Sequence, residues 1–454
     1  MIRLVAASTL LTTAALAAEV TFHKDVEPIL QKNCQGCHRP GEAAPMSFLT
    51  YDSARPWARA IKNAVVTRKM PPWFADPRYG HFKNDPTLSQ TDIDTLSQWA
   101  DAGAPQGNPQ DAPAPKQWPQ GWRIQPDVVV DVPPYAVPAK GLVEWFYITV
   151  PGPFPQDTWV TSLEFRPGEP SVVHHAVVFF KPHTPDTKYN QPVWFNVARD
   201  EFGIGKPGTG FANTRRLESG TGEPVSIASV TGGASLEAVY VPGVQPHDYR
   251  VHDAAMLVRA NSDIVIQLHY TPNGKDVTDK TKIGFTLAKE PPKRRFIMYA
   301  PQTPQIANRD VFRIPAGNPN WKSPPVDGTF NVDAELVWFM PHMHVRGKDM
   351  TYTLTYPGGE SETVLHVPKY NFEWQLGYEA SQPIQVTKGT KLHVDAHYDN
   401  SANNKFNPDP SKDVFSGTQT WEEMMAPFFG VVVDATLDKR KVMDLPGQAG
   451  GGGA

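Results

Sequence analysis

The sequence predicts a multidomain protein, a small all-α domain followed by two all-β antiparallel sandwich domains. Three observations predict it. Residues 19–104 carry apolar side chains at helical spacing. From Asp127 the pattern changes to short Val/Ile/Phe/Tyr runs between turn signals, and the 454 residues include 46 prolines and 34 glycines, as turn-rich β-structure requires. The stretch from 127 to 438 is too long for one sandwich, so two are expected.

Residues 1–18 read as a signal peptide. Arg3 gives a positive start, Leu4 to Ala17 are apolar or small, and Ala15-Leu16-Ala17-Ala18 offers a small-residue cleavage site. An uncleaved N-terminal anchor is the other reading, but the stretch is short and alanine-rich for a spanning helix, and no later run reaches that length. The expectation is therefore a periplasmic or secreted protein with no membrane span. The net charge of −4 becomes −5 once Arg3 is lost, and there is no Lys/Arg-rich tract, so nucleic acid is not an expected partner.

Within 19–104, a helix is expected from Asp25 to Lys32. A second runs from Ser53 to Arg68, with Trp57, Ile61, Ala64 and Val65 at helical spacing. A third runs from Ser89 to Ala102, capped by Ser89 or Thr91, with Ile93, Leu96, Trp99 and Ala100 on one face and Gly103 ending it. Residues 105–126 hold six prolines, two glycines and two tryptophans and read as a linker. The first sandwich is placed at 127–300, with strands at Val128–Val130, Trp145–Val150, Val172–Phe180, Asp263–Tyr270 and Lys282–Leu287. The second, at 301–438, has strands at Glu335–Met340, Thr351–Tyr356, Lys391–Tyr398 and Phe428–Val433. Pro291-Pro292 and the Pro-rich 301–325 stretch mark the change, and 439–454 is a flexible tail ending in Gly450–Gly453.

Cys34-Gln35-Gly36-Cys37-His38 uses both cysteines of the chain. C-x-x-C-H is the attachment signature of c-type haem: each thiol forms a thioether and the adjacent imidazole reaches the iron. A redox dithiol or half a zinc site are the alternatives. Zinc would want a second ligand pair nearby and a redox motif a βαβ setting, and neither is apparent. With helices on either side of the motif and a final aromatic-bearing helix, residues 19–104 resemble a small cytochrome c. A purely electron-carrying iron needs a second axial ligand, and Met/His ligation raises its potential. Met70, held before Pro71 and Pro72 on a rigid extended loop, is the first candidate, and Met46 the second. Since no cysteine remains for disulfides, large hydrophobic cores must hold this exported chain.

The histidines form a second constellation. His174-His175 lies inside the apolar run Val172 to Val178, His269 ends another, and His342-Met343-His344 follows Val337 to Pro341. Residues i and i+2 of a strand share a face, so His342 and His344 point together and can chelate one ion. Adjacent His174 and His175 diverge on a flat strand. They converge only through a bulge or through different ring nitrogens. Imidazole suits copper and zinc, whereas a thioether selects copper.

In order and separation, four motifs resemble the type II copper monooxygenases, the family of peptidylglycine α-hydroxylating and dopamine β-monooxygenases. They are His174-His175, Gln267-Leu268-His269-Tyr270, His342-Met343-His344 and Glu423-Met424, and the resemblance covers roughly 127–435. It implies two sandwiches facing each other across an open cleft, with two copper ions. His174, His175 and His269 would hold the electron-storing copper. His342, His344 and Met424 would hold the copper where dioxygen binds and hydroxylation occurs, with Met425 as the rival thioether. Gln267 would lie on the electron route to the first copper.

The chain departs from the peptide-hydroxylating branch in its pocket. Met340 stands where that branch has a carboxylate-clamping arginine, and Ala426 and Phe428 replace an asparagine and a tyrosine. A carboxylate needs an arginine fork, so an uncharged or hydrophobic small-molecule substrate is expected. Arg346 either offers a charge there or sits on the surface. A covalent one-electron haem c would replace or supplement ascorbate, taking electrons from a periplasmic donor and passing them singly to the first copper and then the second, without a diffusional encounter. The expected activity is thus haem- and copper-dependent C–H hydroxylation with O₂. The alternatives are a non-catalytic copper-handling or electron-transfer protein and a copper oxidase without an organic substrate. His393, Asp395 and His397 share one strand face as an extra metal site or, in the simpler reading, a polar ladder. Trp73, Trp99 and Trp145 are expected as core aromatics.

Overall fold

The computed structural model describes residues 19–119, 121–141, 143, 145–196, 216–219, 224–225, 230, 234–301, 311–417 and 420–445. The expected signal peptide and the Gly450–Gly453 run lie outside the described residues. The chain divides into two compact units whose segments interleave. One comprises the chain to Pro40 with Met46–Pro71 and Thr87–Lys116; the other comprises Gly41–Pro45, Pro72–Pro86 and everything from Gln117.

In the first unit a π-helical turn, Phe22–Val26, leads into α1 (Glu27–Asn33). α2 (Tyr51–Ala54), the single turn Arg55–Trp57 and α3 (Ala58–Val66) follow, then α4 (Gln90–Asp101). Ser89 caps α4: its hydroxyl accepts from the Asp92 amide while the Asp92 carboxylate accepts from the Ser89 amide. Helices this short are marginal alone. They are held by a shared core of Phe22, Val26, Leu30, Ile61, Leu96 and Trp99.

The second unit is built from antiparallel sheets. Its principal strands are β1 (Val128–Asp131), β2 (Phe146–Val150), β3 (Thr158–Arg166), β4 (Val173–Pro182), β5 (Ser235–Tyr240), β6 (Ser262–Tyr270), β7 (Lys282–Leu287), β8 (Arg294–Tyr299), β9 (Val326–Phe330), β10 (Ala334–His342), β11 (Gly347–Thr355), β12 (Ser361–Val367), β13 (Tyr378–Val386), β14 (Lys391–Tyr398) and β15 (Ala426–Asp434). β1, β7 and β3 are neighbours in one sheet; β2, β6, β4 and β5 form part of a second; β8, β15, β10 and β13 form a third; and β12, β11, β14 and β9 lie in a fourth. Every strand anticipated from the sequence falls on one of these.

The expected fold class, a small all-α cytochrome c domain with two all-β antiparallel sandwiches, is nevertheless corrected. The chain is mostly β, 36% strand against 14% helix, its helices are few and short, and the main sheets stand in a propeller-like arrangement. The third sheet supplies the physical reason. Phe296 and Met298 on β8, Val337, Trp338 and Met340 on β10, and Phe428 and Val432 on β15 face one core; the intervening Ile297, Tyr299, Leu336, Phe339, Phe429, Val431 and Val433 face the other. A sandwich sheet covers a core with one face and can give the other to water. This sheet is apolar on both faces and is shared, so the two cores do not belong to separate sandwiches.

A second difference lies within 19–104. Pro72–Pro86 leaves the helices and straps the β unit. Trp73 packs on Tyr378 with ring centroids 4.8 Å apart, and Phe82 lies 5.5 Å from Tyr378 and 6.4 Å from Phe339. Phe82 bridges to Ala380, Asn84 bonds both the Gly377 carbonyl and the Glu379 amide at 2.9 and 3.0 Å, and Lys83 pairs with Glu379 at 2.7 Å. The strap therefore lines β13, the margin of the shared sheet.

Candidate metal centre

His174 and His175 lie on β4 and His269 on β6. The β4–β6 register pairs His269 with His175 and then Tyr270 with Val173, so His174 is the extra residue of a bulge. A bulge rotates the side chains beside it, and the two adjacent histidines converge. One ligand atom from each of His174, His175 and His269 lies within 4.8 Å of the others. The Nδ1 atoms of His174 and His175 are 3.2 Å apart, and the three ring centroids are separated by 5.0–5.4 Å. Burial holds the imidazoles neutral: His174 is lowered to about 4, with His342 adding to the effect, His269 to about 3, and His175 well below its usual value. Neutral imidazole is the form that binds a metal. Gln267 Oε1 lies 3.2 Å from His175 Nε2, and its amide donates to the Tyr147 hydroxyl at 3.3 Å.

His342 ends β10 on the Met340 face, the one turned toward the first core. Its Nδ1 is 2.5 Å from Gln375 Oε1, and its ring stacks on Phe428 at 5.7 Å. The His344 ring is 5.3 Å from that of His342, and its Nδ1 is 3.0 Å from the Glu422 carbonyl oxygen. With each Nδ1 engaged, a metal would meet Nε2, and such outer hydrogen bonds fix the ring orientation of ligands. The β10–β15 ladder ends at His342 opposite Ala426. Continued by two residues, that register sets Met424 opposite His344. Met424 packs against the first core, whereas Met425 is buried in the second, where its sulfur accepts from the Ser323 hydroxyl at 3.0 Å. Met425 is thus committed to the core.

Behind this pair lies a buried polar cluster. Glu423 is fully buried, and its carboxylate accepts from the backbone amides of His344 at 3.0 Å and Arg346 at 2.6 Å. Burial raises its pKa to about 7 against the opposing charge of Arg346. Arg346 is only 2% exposed and donates to Asn400 Oδ1 at 2.8 Å and the Trp421 carbonyl at 2.9 Å. It does not sit on the surface.

The two histidine sets are neighbours. Phe372 lies between them, its ring stacked 5.3 Å from His174 and edge-on 6.3 Å from His344. The open cleft implied by the resemblance therefore holds an aromatic ring. Sequence reasoning missed Phe372 and Gln375. Their only signal is the stretch Tyr370 to Gln375, aromatic and polar without strand alternation.

In the helical unit, Cys34 follows α1, and the amides of Cys37 and His38 return to the Cys34 carbonyl at 3.1 and 2.9 Å. The thiols form no disulfide, and burial raises Cys34 to about 12. The His38 ring stacks on Phe48 at 4.3 Å, and its buried Nδ1 has no hydrogen-bond partner. Met46 packs on the core that Cys34 also touches, and Met70 is half-buried after α3.

The remaining groups are structural. His393 Nδ1 bonds Asp327 and His397 Nδ1 bonds Asp349, both at 2.7 Å, while Lys322 pairs with Asp395 at 3.1 Å. These residues form a polar ladder on β14, and His174, His175 and His269 are the one group of three or more His, Cys, Asp or Glu side chains with metal-cluster geometry among the described residues. Trp99 is buried in the helical core, Trp145 packs with Tyr147 and Val265, and Trp73 belongs to the strap.

No family model matches the chain, and no curated protein matches it. Solved structures give faint likenesses. A PNGF-II structure aligns with 64% of this chain at 10% identity and a TM-score of 0.22, and this chain spans 59% of that one. A T=1 particle derived from infectious bursal virus aligns with 68% of this chain and 70% of its own at 8% identity and a TM-score of 0.17.

Proposed function

We propose that this chain is an exported, haem- and copper-dependent monooxygenase of the type II copper class. It would hydroxylate a C–H bond of an uncharged or hydrophobic small molecule with O₂. The observation that carries the reading is the bulge at His174, which gathers three neutral imidazoles beside the His342–His344 pair. The donor sets fit the metal: three imidazoles suit copper, and two imidazoles with the Met424 thioether favour copper over zinc. The half-buried His38 imidazole, directly behind Cys34 and Cys37 and with its Nδ1 unpartnered, fits a ring beside a prosthetic group held by those thiols. Bound copper would supply dioxygen activation and bound haem would relay electrons, for the overall change RH + O₂ + 2e⁻ + 2H⁺ → ROH + H₂O.

The chain's own residues provide orientation and selection. Gln375 and the Glu422 carbonyl fix the His342 and His344 rings. Met340, Ala426 and Phe428 put apolar groups on the His342 side, at the positions where the peptide-hydroxylating branch has its arginine, asparagine and tyrosine. Metal analysis of the haem-loaded chain tests the reading. It should contain two coppers and one haem, with one copper lost in His174→Ala. An ¹⁸O₂ label should appear in a hydroxylated product. Absence of copper, or peroxide formed stoichiometrically without product, would overturn the proposal.

A further inference from the structure

Phe372 sits at a turn whose ends are fastened. On one side the Tyr370 hydroxyl donates to the Met343 carbonyl at 2.6 Å and accepts from the Met343 amide at 3.1 Å, and the Tyr370 amide bonds the Lys348 carbonyl at 2.8 Å. On the other side Gln375 holds His342 at 2.5 Å. Between these anchors the Trp374 amide closes the turn onto the Asn371 carbonyl at 3.0 Å. The segment is thus tied to the backbone and to a ring of the His-x-His motif, and it projects one half-buried aromatic side chain between the two histidine sets.

The ring meets its neighbours differently. It lies nearly parallel to His174, at 28°, and nearly perpendicular to His344, at 85°. Phe428 stacks on the far partner of the pair, at 20° to His342. Whatever approaches His342 and His344 from the side of His174 must therefore pass or displace Phe372. A phenyl ring offers bulk and no hydrogen bond, so it discriminates by size and not by charge.

We propose that Phe372 is the size-selecting shutter of the centre, admitting diatomic ligands to a metal held by His342, His344 and Met424 while restricting larger apolar ones. The inference rests on the copper reading of that site. Its test needs no substrate. The reduced, copper-loaded, full-length protein is titrated with carbon monoxide and with n-butyl isocyanide, both Cu(I) ligands, and binding is followed by infrared and optical spectroscopy. In Phe372→Ala the affinity for n-butyl isocyanide should rise about tenfold or more while that for carbon monoxide stays within about twofold, the scale on which a few methylenes are discriminated. Phe372→Leu should fall between and guards against a folding defect in the alanine variant. Equal isocyanide affinity in all three proteins, each carrying two coppers, would overturn the shutter and leave the copper reading standing. A wild-type protein without copper would overturn both.

Discussion

Glu423→Ala removes the buried carboxyl behind His344. The backbone amides of His344 and Arg346, now bonded to it at 3.0 and 2.6 Å, would lose their acceptor. A buried donor left without its acceptor costs about 1–3 kcal/mol, so the two together cost about 2–5 kcal/mol. At about 2 °C per kcal/mol for a unit of this size, the midpoint should fall by roughly 4–10 °C. Glu423→Gln keeps an oxygen that can accept from one of the two amides and should therefore unfold at a higher urea concentration than Glu423→Ala. Urea and thermal unfolding of wild type and both variants measure this. A Glu423→Ala protein within about 0.5 kcal/mol of wild type, or a glutamine variant no more stable than the alanine one, would refute the reasoning.

Two other outcomes follow from particular contacts. Burial lowers the His247 pKa below its usual 6.5. The unfolded chain then takes up a proton first as pH falls, so His247 makes stability decline below pH 6.5 and leaves it unaffected well above. The neighbouring Glu379 acts in the opposite direction. His247→Gln should shrink the loss in urea midpoint between pH 7 and pH 5, and an unchanged loss would exclude this role. Asn84→Ala removes two hydrogen bonds from the strap and should cost about 1–3 kcal/mol. Faster proteolysis within 72–86 should accompany that loss; unchanged cleavage would mean the aromatic contacts of Trp73 and Phe82 suffice.

Strands were legible because alternation and turn residues act locally, and the helix ending at Asp101 was legible from Ser89 and its apolar face. The sharing of one sheet between two cores was not. Runs such as Phe296 to Tyr299 and Phe428 to Val433 announce burial on both faces, but they do not say that the faces meet different cores. The strap escaped notice because its partners, Tyr378 and Ala380, lie some three hundred positions away. The histidines could be picked out by type and spacing, and a bulge was one of the two ways, with different ring nitrogens the other, in which His174 and His175 could converge. Gln375, Phe372 and the buried Glu423 carboxyl could not be assigned. Amide, phenyl and carboxyl groups are common everywhere in proteins, and only folding makes these copies special.

The interleaving at Pro72–Pro86 has a practical corollary for anyone dissecting the chain. Neither unit is a contiguous cassette. Deleting the first 104 residues to obtain a haem-free remainder would also strip Phe82 from Ala380 and Asn84 from Glu379. It would bare a strand margin of the kind that recruits other chains, in the very sheet whose strand β10 carries His342 at its end. Comparison of haem-bearing and haem-free protein is therefore better made with Cys34→Ser in the whole polypeptide, where the margin stays dressed.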